Sequence, residues 1–255
     1  MLLAVDIGNT KIAAGLFEDG GKLRFTASFR SDIKMTADQC AIDMRGIFSL
    51  YGEDPKDISG AIVSSVVPPI TAPVCAAIRF LAGKEPMVLG PGIKTGLDIR
   101  LQNHPEVGQD IVACAVAALR KYEPPMIIVD FGTAITFSAI SANSAFLGGA
   151  IYPGVSTSLN ALSGVTANLP LISPAGVNVA VGRGTIESMR SGIVFGTAGM
   201  VDNIVGAIRA EIGGGARVIA TGERMDYVLE KCKTQITFDN DLLMEGLYYI
   251  YRRNT

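Results

Sequence analysis

The chain reads Val5-Asp6-Ile7-Gly8-Asn9-Thr10-Lys11 near its start and, about 125 residues later, Val129-Asp130-Phe131-Gly132-Thr133-Ala134-Ile135-Thr136. Each stretch ends one apolar run and leads into another, and each contains Asp-x-Gly followed by a hydroxyl side chain. The pattern predicts a β-hairpin with an acidic turn, written twice. Backbone N–H groups of such turns bind anions, and the aspartate can hold a divalent cation. Two such turns facing each other are expected to clamp a polyphosphate.

The rest of the chain repeats an order of elements around these hairpins. The first half predicts strands at 2–7, 12–18, 22–30, 60–67 and 86–89, and helices at 36–50, 70–81 and 107–122. The second half predicts strands at 126–130, 135–141, 145–152 and 217–220, and helices after Pro153 and at 185–212, 224–231 and 241–252. An internal repeat of this length predicts a duplicated α/β fold with a central cleft, with domains at 1–122 and 123–255.

Composition limits the possible functions. A net charge of −2 over 255 residues gives no electrostatic case for nucleic-acid binding. The four cysteines show no Cys-x-x-Cys spacing and are interpreted as buried thiols of a reducing compartment. The N-terminus begins with a strand and has no basic segment before it, so no signal peptide is expected. Together these features predict a cytoplasmic protein that does not bind a membrane.

One long segment carries no charge. Residues 131–182 contain no Asp, Glu, Lys or Arg, although glycines, prolines and polar residues interrupt every apolar run. The length of the segment raises the question of a membrane, but no continuous apolar stretch of 18 residues survives. A homodimer interface and an ordinary protein core both explain the segment, and the interface is preferred.

The motifs resemble those of the sugar kinase/heat-shock 70/actin superfamily, whose members carry two Asp-x-Gly phosphate hairpins in ribonuclease-H-like (actin-like ATPase) domains. Within it the whole chain is similar to type III pantothenate kinases. The similarity is carried by the two hairpins and by five further motifs: Asn103 to Asp110, Gly148 to Gly154, Leu169-Pro170, Gly182-Arg183-Gly184-Thr185 and Leu242 to Leu247. The resemblance implies ATP-dependent phosphorylation of pantothenate to 4'-phosphopantothenate, the first step of coenzyme A biosynthesis.

The resemblance also implies roles for particular residues. Asp110 would be the proton acceptor, Asp6 would lie near Mg²⁺, and Asp130 would bind a monovalent cation, K⁺ or NH₄⁺. The residues implied to bind ATP are Asp6, Ile7, Gly8, Asn9, Thr10, Lys11, Ile12, Ala13 and Thr133. Those implied to bind pantothenate are Gly108, Gln109, Asp110, Ile111 and Thr185, the last across a homodimer interface.

Three positions depart from the family pattern. The usual Gly-Ala-Asp-Arg reads Gly108-Gln109-Asp110-Ile111, the usual Thr-Gly-Gly reads Thr221-Gly222-Glu223, and Gly184 replaces a common asparagine. Gln109 favours a second hypothesis, a related kinase with another acceptor. Glu223 and Gly184 favour a third, a nucleotide-binding regulator without turnover. The three aspartates argue against that regulator.

Several residues have simpler explanations from local chemistry alone. Asp110 in a first helical turn can merely stabilise the helix, whose dipole also favours the ionised carboxylate, and Thr185 can be an N-cap. His104, the only histidine, is expected in a loop or at a pocket edge. Arg100, Arg183 and Arg190 are all candidates to bind the carboxylate of pantothenate, and the sequence does not choose among them.

Overall fold

The computed structural model describes residues 1–101 and 107–255. The chain divides into two compact units. The first contains Met1–Leu97, the described residues up to Arg120, and Asp241–Thr255; the second contains residues 98–101 and Lys121–Asn240. The sequence placed 241–255 in the second domain, whereas its contacts group it with the first. His104 lies outside the described residues.

Eleven strands and seven α-helices are found in the described part of the chain. The strands are β1 (Leu2–Ile7), β2 (Lys11–Phe17), β3 (Leu23–Arg30), β4 (Gly60–Ser65), β5 (Met87–Val88), β6 (Asp98–Ile99), β7 (Met126–Phe131), β8 (Ala134–Ile140), β9 (Ala145–Pro153), β10 (Arg217–Gly222) and β11 (Ile236–Phe238). The helices are α1 (Ala37–Leu50), α2 (Pro68–Ala82), α3 (Gln109–Lys121), α4 (Val155–Val165), α5 (Thr185–Ile212), α6 (Asp226–Leu229) and α7 (Leu242–Asn254).

Both sheets are built on one plan. The first has the order β3-β2-β1-β4-β5, and the second repeats it as β9-β8-β7-β10-β11, with β6 added beyond β9. In each, three strands form an antiparallel meander and the central strand then pairs with a parallel neighbour. The duplicated α/β fold predicted from the repeated hairpins is confirmed.

Alternation along the central strands decides where each aspartate points. Val5 and Ile7 belong to a buried cluster that includes residues of α1 and α2, so Asp6 points to the opposite face of the sheet. That face is covered by α7, whose Met244 and Tyr248 lie against Gly15 and Phe17. In the second unit Val129 and Phe131 belong to a cluster with residues of α4 and α5, so Asp130 points to the other face.

Local chemistry sets several boundaries that the periodicity misplaced. α2 begins at Pro68 because proline is tolerated in a first turn, where its missing N–H would have no intrahelical partner. Pro153 ends β9 and Gly154 is the N-cap of α4, so the helix expected after Pro153 begins at Val155. β6 and β11 have only two and three residues, too short for a periodic signal.

Candidate active site

The first hairpin presents an exposed tip beside a half-buried carboxylate. Asp6 is paired with Ala13 on β2 and Ser64 on β4. The Gly8 N–H donates to the Lys11 carbonyl at 3.0 Å and closes a tip of Asn9 and Thr10. Asn9, Thr10 and Lys11 are exposed. The tip therefore offers a hydroxyl, an amide and an ammonium group to a ligand.

The flanking isoleucines serve the core. Ile7 and Ile12 are fully buried, which limits any contact with a nucleotide to their main chain, and Ala13 is half-buried. Ser64, which the sequence analysis did not single out, is fully buried, and its Oγ has no hydrogen-bond partner within the described residues. Its place in register beside Asp6 adds a second oxygen near the carboxylate.

The second hairpin is shorter and is fixed by a helix. Asp130 is paired with Thr136 and Thr221, and the Gly132 N–H donates to the Ala134 carbonyl at 3.1 Å, which leaves Thr133 as the tip. The Thr133 carbonyl accepts two hydrogen bonds from the start of α4, from the Gly154 N–H at 3.0 Å and the Thr157 hydroxyl at 2.7 Å. Thr133 itself is exposed.

Gly222 shapes the surroundings of Asp130. Its φ of +86° lies in the left-handed region, which glycine adopts without strain. A methyl group at this position would overlap Asp130 Oδ1 and the Phe131 carbonyl oxygen. The Glu223 N–H donates to the same carbonyl at 2.6 Å, so the unusual Thr-Gly-Glu sequence closes onto the end of β7. The contacts of Gly222 therefore show that a larger residue would displace the Asp130 carboxylate.

Asp110 is a largely buried carboxyl group in the first turn of α3. Burial raises its pKa above the ordinary 3.8, although the Ile111 N–H, 2.9 Å from Oδ1, and the Asp110 N–H favour the ionised form. Desolvation therefore outweighs these two main-chain hydrogen bonds in setting the pKa of Asp110. A side chain at Gly108 would overlap Asp110 Oδ1, which explains the glycine two residues earlier.

Asp110 and Asp6 lie on the same side of the first sheet. Gly246 of α7 packs closely against the Ala113 carbonyl of α3, so α3 lies on the α7 side of the sheet. Asp6 points to that side, as the alternation of β1 requires. Gln109 and Ile111 flank Asp110 and are half-buried. The first unit thus carries a candidate phosphate hairpin and a candidate base together.

Thr185 lies in the second unit at the start of α5. Gly184, not Thr185, is the N-cap, and the Glu187 carboxylate instead accepts the Arg183 N–H at 2.6 Å. Thr185 is exposed and lines an open pocket of about 620 Å³ together with Arg190. The N-cap interpretation of Thr185 is therefore wrong, and its side chain takes no part in capping.

The cysteines are structural rather than reactive. Burial raises the pKa of Cys40 to about 12 and that of Cys232 to about 11, so both stay protonated thiols at neutral pH. Cys40, Cys75 and Cys114 are buried, as the sequence predicted, whereas Cys232 is half-buried. Across residues 1–101 and 107–255, no group of three or more His, Cys, Asp or Glu side chains could by itself hold a metal ion.

The fold and the paired acidic hairpins define the class of protein. The architecture is that of actin-like ATPases and sugar kinases. The activator of 2-hydroxyisocaproyl-CoA dehydratase from Clostridium difficile with bound ADPNP is similar in fold, at a TM-score of 0.56 and 12% identity over 99% of this chain and 95% of that one. Component A of (R)-2-hydroxyglutaryl-CoA dehydratase from Acidaminococcus fermentans is similar at 0.56 and 12%, over 99% and 98%.

Sequence comparison narrows the class to one family. The family model for type III pantothenate kinase matches residues 2–207. Type III pantothenate kinases from Moorella thermoacetica and Myxococcus xanthus are 40% and 39% identical, each over 100% of this chain and over 100% and 99% of their own lengths. The chain belongs to the type III pantothenate kinase family. It is a phosphotransferase that phosphorylates pantothenate in coenzyme A biosynthesis.

Proposed function

We propose that the chain transfers the γ-phosphoryl group of ATP to the primary hydroxyl of pantothenate through the residues of the two hairpins and Asp110. The observation that carries this proposal is the environment of Asp110. It is a half-buried carboxyl group with a raised pKa, seated against Gly108 on the side of the first sheet to which Asp6 points. A carboxylate of raised pKa is a stronger base than one in water.

The first hairpin binds the phosphates of ATP in this proposal. Residues Asp6 to Ala13 form the loop, in which the exposed Asn9, Thr10 and Lys11 provide an amide, a hydroxyl and a positive charge. Thr133 adds a hydroxyl from the second hairpin. Phosphoryl transfer depends chiefly on positioning the transferred group and on neutralising the charge around it. The amide and hydroxyl groups position the phosphates, and the ammonium group of Lys11 neutralises part of their charge.

Both implied cations find suitable oxygen atoms. Beside Asp6, the buried Ser64 Oγ lacks a hydrogen-bond partner within the described residues, so an oxygen-rich Mg²⁺ environment fits there. At Asp130, the carboxylate and the Phe131 carbonyl oxygen both lie close to Gly222, and a pair of oxygen atoms of this kind suits K⁺ or NH₄⁺. When bound, these cations neutralise phosphate charge.

Asp110 moves one proton. Its carboxylate accepts the proton of the pantothenate hydroxyl as that oxygen forms a bond to the γ-phosphorus, and the bond to the β–γ bridging oxygen breaks, releasing ADP. Gly108, Gln109 and Ile111 form the adjacent wall for the acceptor, and Thr185 at the start of α5 reaches it across the homodimer interface. The products are 4'-phosphopantothenate and ADP.

A homodimer is part of this proposal, and the surface of the second unit supports it. Within the uncharged segment, Ile151, Val165, Leu171 and Val181 are 76%, 83%, 72% and 82% exposed. Gly192, Gly196 and Gly199 form an exposed stripe on α5 with open space around each. Apolar surface of this extent is typical of an interface, and a second copy is the proposed partner.

The proposed location is the cytoplasm, with no membrane or nucleic-acid partner. Among the described helices, α5 alone is long and apolar enough to cross a membrane, and only one third of its most apolar stretch is buried. A single helix of this kind is weak support for a membrane span, since core helices of soluble proteins pass the same test. α5 contributes Val201 and Val205 to the core of the second unit.

A coupled assay of ADP release tests the reaction. We expect turnover that requires pantothenate and Mg²⁺ and that falls when K⁺ is replaced by Na⁺. Phosphopantothenate is identified by mass spectrometry. Nucleotide binding without turnover would favour the regulator, and turnover only with another alcohol would favour a changed acceptor.

The dimer is tested by Gly196→Glu, which places a charge on the α5 stripe. We expect loss of the dimer by light scattering and a parallel fall in activity, because a buried unpaired charge is costly at an interface. Gly46→Glu is the control: it changes an exposed helical glycine of the first unit that also has open space. Full activity in a proven Gly196→Glu monomer would contradict a shared site.

A further inference from the structure

The pocket at the start of α5 combines apolar walls with three polar side chains. It measures about 620 Å³ and is lined on its apolar side by Gly176, Val177 and Ile186. Thr185, Glu187 and Arg190 contribute a hydroxyl, a carboxylate and a guanidinium group. No residue of the Asp130 hairpin lines it. The pocket therefore suits the organic part of a small acidic molecule rather than a chain of phosphates.

Arg190 has a hydrogen-bond donor that the described residues do not use. Its Nε is buried and has no hydrogen-bond partner within the described residues. Glu187, the carboxylate in the same wall, already accepts the Arg183 N–H at 2.6 Å. Buried polar groups in native proteins are almost always paired, so an arginine that lines a pocket and has an unpaired buried nitrogen indicates a guanidinium group kept for an anionic ligand.

The two other candidate arginines lack this environment. Arg100 donates from Nε to Asp98 at 3.0 Å, and both side chains are more than half exposed. Arg183 is exposed and does not line the pocket. A binding arginine must keep donors available for the ligand, and among these three Arg190 alone has a buried, unused donor in a pocket wall.

We infer that Arg190 binds the carboxylate of pantothenate in this pocket, with Thr185 donating a second hydrogen bond. A planar guanidinium group matches a carboxylate with two parallel hydrogen bonds. The first turn of α5 favours a negative charge at the same end of the helix. Val177 and Ile186 then pack against the apolar part of the acceptor. This assignment rests on the proposed pantothenate kinase reaction.

The test compares two acceptors that differ at the carboxylate. Pantothenol carries an alcohol in its place and keeps the hydroxyl that is phosphorylated. Arg190→Gln is expected to raise the KM for pantothenate about 10- to 100-fold, the effect of losing a charge-assisted hydrogen bond. The KM for pantothenol and both kcat values change little, because the lost contact is absent from pantothenol and remote from the transferred phosphoryl group.

Two further variants complete the experiment. Arg190→Lys keeps the charge without the planar fork and is expected to show an intermediate KM for pantothenate. Arg217→Gln removes an exposed positive charge of the same unit and leaves the ratio of the two KM values unchanged. Light scattering and thermal melting show whether each variant keeps the assembly and the fold of the parent protein.

Each result decides the matter. A selective loss for pantothenate supports the assignment. An equal rise in both KM values, or none, overturns it, as does a variant whose loss follows dissociation of the protein. If the parent protein phosphorylates neither acceptor, the proposed function fails instead, and that failure is visible before any variant is made.

Discussion

The two acidic hairpins share their strand order and their Asp-x-Gly sequence but differ in the length and surroundings of the tip. The first has two residues, Asn9 and Thr10, between its closing hydrogen-bonded pair, and Lys11 beside them. The second has only Thr133, which α4 fixes through two hydrogen bonds to its carbonyl. The two units share one strand arrangement, but their hairpin tips carry different side chains. The first tip suits phosphate, and the second end suits a cation.

The neighbouring parallel strand repeats this contrast. Beside Asp6 lies the buried hydroxyl of Ser64, and beside Asp130 lies the almost fully buried Thr221. One residue further, Ser65 bonds to Thr71 at 2.7 Å in the first unit, whereas Gly222 lets the Asp130 carboxylate approach the main chain closely in the second. The equivalent position therefore holds a structural hydroxyl in one unit and a bare backbone in the other.

The largest effect is expected from replacing Asp110, which lies in the first unit and is the one proposed base. Asp110→Asn is expected to lower kcat by about 10³-fold, as the loss of a general base does, while ATP binding persists. Since burial raises the pKa of Asp110, its charged form destabilises the fold at neutral pH. The asparagine variant should therefore melt no lower than the parent at pH 8, as measured by calorimetry.

The pH dependence of stability and activity in the parent protein tests the role of Asp110 independently of the variant. The folded pKa of Asp110 lies above the unfolded value, so its contribution to stability is present at low pH and is lost as pH rises through the folded pKa. Activity follows the opposite course, because the base must be ionised. The acid limb of kcat/KM should fall at a pH above 3.8. A limb at the ordinary aspartate value would sink the assignment of Asp110.

A second prediction sharpens the contrast at the cation position. Gly222→Ala should displace the Asp130 carboxylate and lower activity about 10²-fold, the usual cost of misplacing a catalytic group by about 1 Å. The activity should also lose its response to K⁺ in a titration of that cation. Gly215→Ala is the matched control, since Gly215 has φ +92° in the same unit but open space around it.

Comparison of these two variants separates backbone strain from the clash. Both should lose about 1–2 kcal/mol of stability from a left-handed alanine. Only Gly222→Ala should change the response to K⁺. An equal response of both variants would mean that Gly222 serves the turn and not the carboxylate.

The smallest expected effect concerns the link between the second hairpin and α4. Thr157→Val removes the hydroxyl bond to the Thr133 carbonyl and should cost about 1 kcal/mol in unfolding free energy. Because Thr133 is then held by one bond, the KM for ATP should rise as well. Thr166→Val removes a bond of the same length, 2.7 Å to Leu162 in the same helical region, and should cost stability without changing that KM.

The sequence predicts most of the fold because its strongest signals are local. Apolar runs and Asp-x-Gly turns located both meanders within one or two residues, and α5 began and ended where the pattern predicted. The position of α7 could not be predicted in this way, because it depends on contacts distant in the sequence. Gly246 approaches the Ala113 carbonyl so closely that a side chain would overlap it, and no window of sequence contains both residues.

The candidate site was predictable by residue type but not by environment. The family resemblance named Asp110, yet only the structure shows that burial outweighs the main-chain hydrogen bonds to its carboxylate and raises its pKa. Gly222 and Arg190 illustrate the same limit. Each occupies an ordinary place in the sequence, and each gains its meaning from atoms it meets in three dimensions: the Asp130 carboxylate and an open pocket.

The return of the last helix to the first unit has a consequence for biosynthesis. β1 is made long before α7, the helix that covers one face of its sheet with Tyr251 against Gly60. Until α7 is made, Ala4 and Ile62 lack its cover on that face. The second unit, whose residues are nearly continuous, can finish folding earlier. A nascent chain should therefore acquire its protease-resistant parts in the reverse of their order of synthesis.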